Sequence, residues 1–439
     1  MLAEIPSDAL RRTLLRDADL CVKCGLCLGH CPTYTLTRDE AESPRGRIAL
    51  MHGLAGGMLA PSPKLEAHLD GCLTCRACEV VCPADVPYGE LIDAARNLMA
   101  QQRPARTRTA KLMAAVLDHR PLRYLAAAAL MSYQRSGLQW LVRASRVLVP
   151  LGLSRLESLL PKIHWPRLPS PDPSPRPLPV SGEREKIALF ANCTSPLTEP
   201  AALEAAMSVL RALGCEVAVP ATQGCCGALA QHAGLHADAS ACATKNIAAF
   251  GEAKTVVGIA SGCTAQLLEY GALAGEAGKA FGGKVRDIHG YVAGHPALAT
   301  LSFKPLKARV ALHTPCTMKN VVKGDAAVVK LLEKIPGLEI VRLDSACCGA
   351  AGSYFITQPL MADALAKTKV DAVAQVQPLY LLSSNVGCAM HLAAALRRDG
   401  LTVPVRHPLE LLAESLAPPQ AGSASRRAAA AAARPVRPA

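Results

Sequence analysis

The chain has 439 residues, with 48 Lys/Arg against 35 Asp/Glu, a formal net charge of +13, 18 cysteines and only 3% aromatic residues. That length has room for about two to four domains, each with its own core. Five Phe and two Trp give bases no platform on which to stack, so a nucleic-acid partner is excluded from the expectations.

The positive charge is uneven. Residues 103–180 hold 13 Lys/Arg against Asp118, Glu157 and Asp172, and the tail 417–439 adds Arg426, Arg427, Arg434 and Arg437 with no acid, leaving the rest near neutral. Such a segment suits an anionic membrane surface or an acidic partner. The cysteines are clustered, and Met1-Leu2-Ala3-Glu4-Ile5-Pro6 has neither the basic start nor the apolar core of a signal peptide. Metal ligation in a reducing, cytoplasmic setting is therefore expected rather than disulfides. No run approaches about 18 apolar residues, so no membrane-spanning helix is expected, and any membrane contact is peripheral, at the inner face.

Residues 1–20 predict a short helix. Cys21-Val22-Lys23-Cys24-Gly25-Leu26-Cys27-Leu28-Gly29-His30-Cys31-Pro32 follows, and the pattern recurs as Cys72-Leu73-Thr74-Cys75-Arg76-Ala77-Cys78-Glu79-Val80-Val81-Cys82-Pro83. Both are C-x2-C-x2-C-x3-C-P, the spacing that holds cubane clusters in two-cluster ferredoxins, where the fourth cysteine of each run serves the other cube. The spacing predicts one 4Fe-4S cluster on Cys21, Cys24, Cys27 and Cys82, and a second on Cys72, Cys75, Cys78 and Cys31. A zinc ribbon needs two cysteine pairs around one tetrahedral ion and fits two identical quartets poorly. Between the runs, Ser43 and Pro44 read as the cap and first residue of a helix. After Pro83, residues 88–101 read as an amphipathic helix with Leu91, Ala94, Ala95 and Leu98 on one face. A helical ferredoxin-like domain over residues 1–102 is expected.

Residues 103–180 read as basic surface helices bridging two domains, with docking on a membrane or partner as the alternative, and end in a proline-rich linker at 166–179. The second half is a repeat, with units at 181–304 and 305–416. Each unit opens with a β-run into a cysteine (Cys193, Cys316), passes a Cys-Cys-Gly (Cys225-Cys226-Gly227, Cys347-Cys348-Gly349) and closes with a β-run into Gly-Cys (Cys263, Cys388). Strands alternating with helices predict duplicated α/β domains with parallel sheets. The cysteines fall at the carboxyl ends of strands, where open α/β sheets hold ligands, and are expected to gather between the two halves. Thiolates are soft ligands, so a further iron–sulfur cluster is preferred on Cys193, Cys225, Cys226, Cys263, Cys316, Cys347, Cys348 and Cys388, with zinc as runner-up. Cys215 and Cys242 read as packing residues, and His30, His313 and His391 as satisfied polar neighbours, with cluster tuning by hydrogen bonding as the alternative. The tail 417–439 reads as disordered.

No G-x-G-x-x-G after a strand, no Walker A run and no G-x-S-x-G occurs, so neither a nucleotide or flavin site nor a hydrolase nucleophile is expected. Clusters carry single electrons, whereas oxidising an organic substrate needs a two-electron acceptor, so the chain reads as a wire fed by a flavin on another subunit.

This combination resembles the iron–sulfur subunit of glycolate oxidase (glycolate dehydrogenase) over roughly residues 10–415. Specific matches are Leu20-Cys21-Val22-Lys23-Cys24-Gly25-Leu26-Cys27, Ser43-Pro44-Arg45-Gly46-Arg47-Ile48, Ala260-Ser261-Gly262-Cys263, Cys347-Cys348-Gly349-Ala350-Ala351-Gly352-Ser353-Tyr354, Asn385-Val386-Gly387-Cys388 and Pro404-Val405-Arg406-His407-Pro408-Leu409-Glu410-Leu411. The resemblance implies FAD-carrying partner subunits that oxidise glycolate to glyoxylate, electron relay through this chain and a quinone as acceptor. The iron–sulfur subunits of anaerobic glycerol-3-phosphate dehydrogenase, of lactate oxidation and of heterodisulfide reductase share these domains and are the alternatives, beside a non-catalytic redox sensor. The heterodisulfide type ends its repeat in C-x-x-C, where this chain has Ala260 and Asn385.

Overall fold

The computed structural model describes residues 7–145, 147–150, 153–165, 185–344 and 346–417. The proline-rich 166–179 and the tail beyond Ala417 lie outside the described residues.

The N-terminal region is helical, with Ser7–Ala18, Pro44–Ala55, Pro63–Asp70 and Tyr88–Gln102 packed together. Ser43 Oγ accepts from Gly46 N at 2.9 Å and Pro44 occupies the first turn, which is why the helix starts there. Leu91, Ala95 and Leu98 are fully buried against Leu14, Met51, Leu54 and Leu69. Each large apolar side chain so buried contributes about 1.5–3 kcal/mol. Cys72 and Cys78 belong to the same core, so the cysteine loops are anchored in it.

Helices Arg108–Asp118, Arg120–Arg135, Leu138–Ser145 and Ser154–Ser158 then wrap across both repeats. Ala114 and Leu117 pack on the first repeat and Leu159 on the second, while Arg155 clamps Asp363 at 2.8 Å. These helices therefore touch both repeats.

The first repeat has strands β1 (Lys186–Phe190), β2 (Glu216–Ala218), β3 (Val256–Gly258) and β4 (Val285–Asp287). The second has β5 (Ala308–His313), β6 (Leu338–Arg342), β7 (Tyr380–Ser383) and β8 (Val405–Arg406). Each forms a four-stranded, wholly parallel sheet, ordered β2-β1-β3-β4 and β6-β5-β7-β8. Parallel strands covered by helices on both faces read as short apolar runs, as Ile187-Ala188-Leu189-Phe190 and Val310-Ala311-Leu312 do. The repeats share one core: helix Pro408–Ser415, at the end of the second, lays Leu409, Leu411 and Leu412 onto helix Pro200–Ala212 of the first. Ser261 N also donates to Ser384 O at 3.0 Å, and Ser261 Oγ lies 2.9 Å from Thr317 Oγ1, so the carboxyl ends of the two sheets meet.

Candidate metal centres

All 18 cysteines are free thiols, and all but Cys215 fall into four groups. Cys21, Cys24, Cys27 and Cys82 line one cavity with Val22, Leu26, Arg45 and Pro83, and Cys78 reaches the same cavity. Burial pushes the Cys27 thiol up, and Cys21 and Cys24 nearby push it further. Cys78 is raised first by burial, then by Cys75, Cys72 and Cys31, the other three members of its predicted set. Crowded buried thiols that repel one another's charge are what a multi-iron cation relieves, so the donor chemistry of both sets fits cubane clusters.

A buried cation stands behind the second set. Arg47 is 1% exposed; its guanidinium pairs with the Glu42 carboxylate, and its Nε donates to His68 O at 2.7 Å and Nη1 to Thr33 Oγ1 at 3.0 Å. Thr33 Oγ1 lies 3.3 Å from Cys31 Sγ, and the charges of Cys72 and Cys31 act on the guanidinium. Arg47 thus places a positive charge beside two predicted ligands.

In the repeats Cys193 sits just past β1, Cys263, Cys316 and Cys388 lie in the first turn of the helix that follows a strand, and the Cys-Cys pairs lie in the loops that follow β2 and β6. Gly227 and Gly349 have φ of +87° and +84°, which tightens each Cys-Cys loop; a Cβ on Gly349 would stand 2.6 Å from Ala362 O. The expectation of one gathering of cysteines between the halves is corrected: they form two separate nests, because each Cys-Cys loop folds back into the core of its own repeat.

The first nest holds Cys193, Cys225, Cys226 and Cys263, and also Cys242. Hydrogen bonds from Cys193, Cys226 and Cys242 hold the Cys225 thiol well below its usual range despite burial. Cys242, one helical turn beyond Ala239, packs in the same core and lies against the Cys-Cys-Gly loop, a neighbour its position outside the repeat pattern did not signal. Cys215, by contrast, lies in the apolar core, 3.4 Å from Tyr291 Oη. Asn246 fastens this nest from within, receiving Gly224 N (2.9 Å) and donating to Cys225 O (2.8 Å) and Tyr270 Oη (2.9 Å), while Tyr270 donates to Cys226 O at 3.0 Å.

The second nest holds Cys316, Cys347, Cys348 and Cys388. Cys316 and Cys347 sulfurs are 3.9 Å apart, and Asn385 Nδ2 donates to Cys388 Sγ at 3.3 Å. Ligand atoms of His313, Cys348 and Cys388 all lie within 4.8 Å of one another. Burial pushes His313 down to about 3, with the buried Lys369 cation lowering it further. His313 is not fully satisfied, as its residue type led one to expect: Nδ1 is 3.1 Å from Ser383 Oγ, but Nε2 has no hydrogen-bond partner among the described residues.

The nest also adjoins the ferredoxin-like region. Burial raises the Cys75 thiol and the charge of Cys316 raises it further, Asn320 Nδ2 donates to Cys75 O at 2.7 Å, and Tyr354 donates to Gly71 O at 3.1 Å. That juxtaposition had no signal in either motif.

The family of 4Fe-4S dicluster domains matches residues 17–86, and the cysteine-rich domain matches twice, at 187–268 and 310–393. A probable glycolate oxidase iron-sulfur subunit of Bacillus subtilis (strain 168) is 34% identical over 429 residues, covering 90% of this chain and 93% of that one. The chain belongs to the glycolate oxidase iron–sulfur subunit family. The glycolate oxidase iron-sulfur subunit of Escherichia coli (strain K12) is 31% identical over 413 residues, with 90% and 93% covered. Lactate utilization protein A of Geobacillus sp. (strain WCH70) is 30% identical over 235 residues, covering 52% of this chain and 98% of that one. Family membership gives the chain an electron-transfer role through iron–sulfur chemistry, as one subunit of an oxidoreductase complex.

Proposed function

We propose that this chain is the electron-relay subunit of a flavin-dependent glycolate dehydrogenase, with FAD on partner subunits that oxidise glycolate to glyoxylate and a quinone as acceptor. The observation that carries the reading is the seating of Cys75 against the second nest, with Asn320 Nδ2 donating to Cys75 O at 2.7 Å, which continues a dicluster region into a further thiol nest. We assign Cys21, Cys24, Cys27 and Cys82 to one 4Fe-4S cluster, Cys72, Cys75, Cys78 and Cys31 to the other, and a further iron-containing centre to the Cys-Cys-Gly nests. Bound there, such clusters accept and release single electrons. The chain's own part is to hold the thiolates, exclude water by burying Cys31, Cys72 and Cys78, and place Arg47 where it favours the reduced, more negative state. In domain terms we divide the chain at 1–102, 103–180, 181–304, 305–416 and 417–439.

Peripheral docking at the cytoplasmic face of a membrane belongs to the same proposal. Among the described residues no helix is long and apolar enough to cross a membrane. Leu138, Trp140, Leu141, Val147 and Val149 are exposed in and beyond helix Leu138–Ser145, Trp140 at 73%. Arg143, a candidate docking cation, is engaged with Glu157 at 2.9 Å, and Arg146 lies outside the described residues, so the apolar face carries the contact.

Purified alone without oxygen, the chain should be brown, contain at least two clusters' worth of iron and leave glycolate untouched. Mixed with the flavoprotein subunits, it should be bleached by glycolate. Bound flavin with turnover in the isolated chain would sink the proposal.

A further inference from the structure

The two nests share four thiols by sequence position, and each has one extra donor, placed differently. Phe190 ends β1 three residues before Cys193; His313 ends β5 three residues before Cys316. Across the sheet the register partner of Phe190 is Gly258, and that of His313 is Ser383. The first repeat thus has an apolar pair where the second has an imidazole beside a hydroxyl. On the other side of each loop the exchange reverses. Gly227 packs on Ala239 and Cys242, and Gly349 on Ala362, so Leu365 stands where the first nest has Cys242.

We propose that His313 is a metal ligand through Nε2, giving the second repeat an iron-containing centre of mixed imidazole and thiolate ligation. The inference rests on the assignment of a metal centre to this nest and adds a ligand to it. His313 is 1% exposed and its Nε2 has no hydrogen-bond partner among the described residues, a costly state for a buried polar atom that a metal bond removes. One ring nitrogen of His313, Cys348 Sγ and Cys388 Sγ lie within 4.8 Å of one another, close enough to share a metal site. Ser383 Oγ, 3.1 Å from Nδ1, takes that nitrogen's proton in a hydrogen bond and so leaves the Nε2 lone pair for the metal, the usual arrangement around a ligating histidine. With Cys316 and Cys347 the nest has five donors, one more than a tetrahedral zinc uses, and it abuts Cys75; both points favour iron. Replacing a thiolate by neutral imidazole makes a centre less negative and raises its potential, as histidine ligation does in other iron–sulfur proteins. The second nest is then an electron sink next to the dicluster region.

The test uses the full chain, isolated without oxygen and analysed for iron and zinc, with pulsed EPR on the reduced protein. Wild type should show a directly bound imidazole nitrogen. His313→Cys, which keeps a soft donor in place, should retain the iron, lose the nitrogen coupling and lower the potential of that signal; His313→Phe, the first repeat's residue, should lose the nitrogen coupling as well. Cys388→Ser should remove iron from this nest while leaving the dicluster signals. If Cys388→Ser removes iron but wild type shows no nitrogen coupling, His313 is no ligand and the metal assignment survives. If Cys388→Ser removes no metal, the assignment and the inference both fail. Zinc in place of iron at this nest overturns the inference.

Discussion

The two Cys-Cys-Gly repeats have the same strand order and the same four cysteines, yet their nests are secured in different directions. The first is fastened inside its own repeat by Asn246 and Tyr270, with helix Arg108–Asp118 lending Asp118 Oδ1 to Cys225 N at 3.2 Å. The second is fastened outward, through Tyr354 to Gly71 and Asn320 to Cys75. Duplication therefore conserved the cradle while the surroundings diverged. Both repeats meet the cluster-bearing helices, the first through Arg76 with Glu269 and His232 with Asp93, but only the second is tied there through the backbone of Gly71 and Cys75, beside the predicted cluster ligands. A donor set alone does not decide whether a site lies on an electron route; what it touches does.

The largest effect expected from this difference is functional. In the assembled complex, Cys388→Ser should cut glycolate-driven acceptor reduction by at least tenfold, whereas Cys263→Ser should leave it within about a factor of three. Equal losses in steady-state turnover would place both nests on the route and end the distinction. Next in size, Asn246→Leu should destabilise the first nest alone. It orphans Gly224 N and Cys225 O in a fully buried site, a loss of about 1–3 kcal/mol for each unpaired group. Thermal melting should register the drop, and the dicluster EPR signals should persist; their disappearance would mean that the dicluster region depends on the first nest.

A pH effect tests the seam between the repeats. His407 Nε2 donates to Ile259 O at 3.0 Å and its Nδ1 accepts from Leu409 N at 3.2 Å, so only the neutral ring satisfies both bonds. Burial pushes His407 down to about 3, with the stacked His289 lowering it further. Between the unfolded value near 6.5 and about 3, the unfolded chain holds a proton that the folded chain lacks, so stability falls as pH falls through that window. The slope is about 1.4 kcal/mol per pH unit. Melting curves at pH 7.5 and 5.5 should show wild type losing more than His407→Gln; parallel losses would assign the effect elsewhere. The smallest effect should come from Tyr354→Phe. Losing the bond to Gly71 O costs about 1 kcal/mol and should slow transfer between the dicluster region and the second repeat a few-fold, read by rapid-mixing absorbance. Unchanged rates would show that this tether is not what aligns the two regions.

Much of this arrangement could be read before any coordinates. The two C-x2-C-x2-C-x3-C-P runs, the Ser43-Pro44 helix start and the β-runs ending in Cys193 and Cys316 are local signals, in which spacing and capping chemistry act within a few residues. The surroundings of Cys242 and His313 had no local signal, for the converse reason. A helix carries Cys242 back 17 residues onto Cys225, and His313 looks like any strand-end histidine until Ser383 and the Cys348 and Cys388 sulfurs are seen around it. Comparing the copies position by position, Phe190 against His313, was the one sequence signal for the latter. The bond from Asn320 to Cys75 O, which seats the dicluster region on the second nest, spans 245 residues and two domains, and tertiary packing alone sets it.

Helix Pro408–Ser415 has a consequence for how the protein is made. Its Leu409, Leu411 and Leu412 complete the apolar layer over helix Pro200–Ala212, and Phe303 pairs with Leu416 alongside. The first repeat, although synthesised early, therefore leaves the ribosome with its core uncovered and waits for the last helix among the described residues. Truncation after Arg398 should expose that greasy layer to chaperones and aggregation, and expressing the repeats as separate halves should yield a soluble second half less readily than a sticky first one.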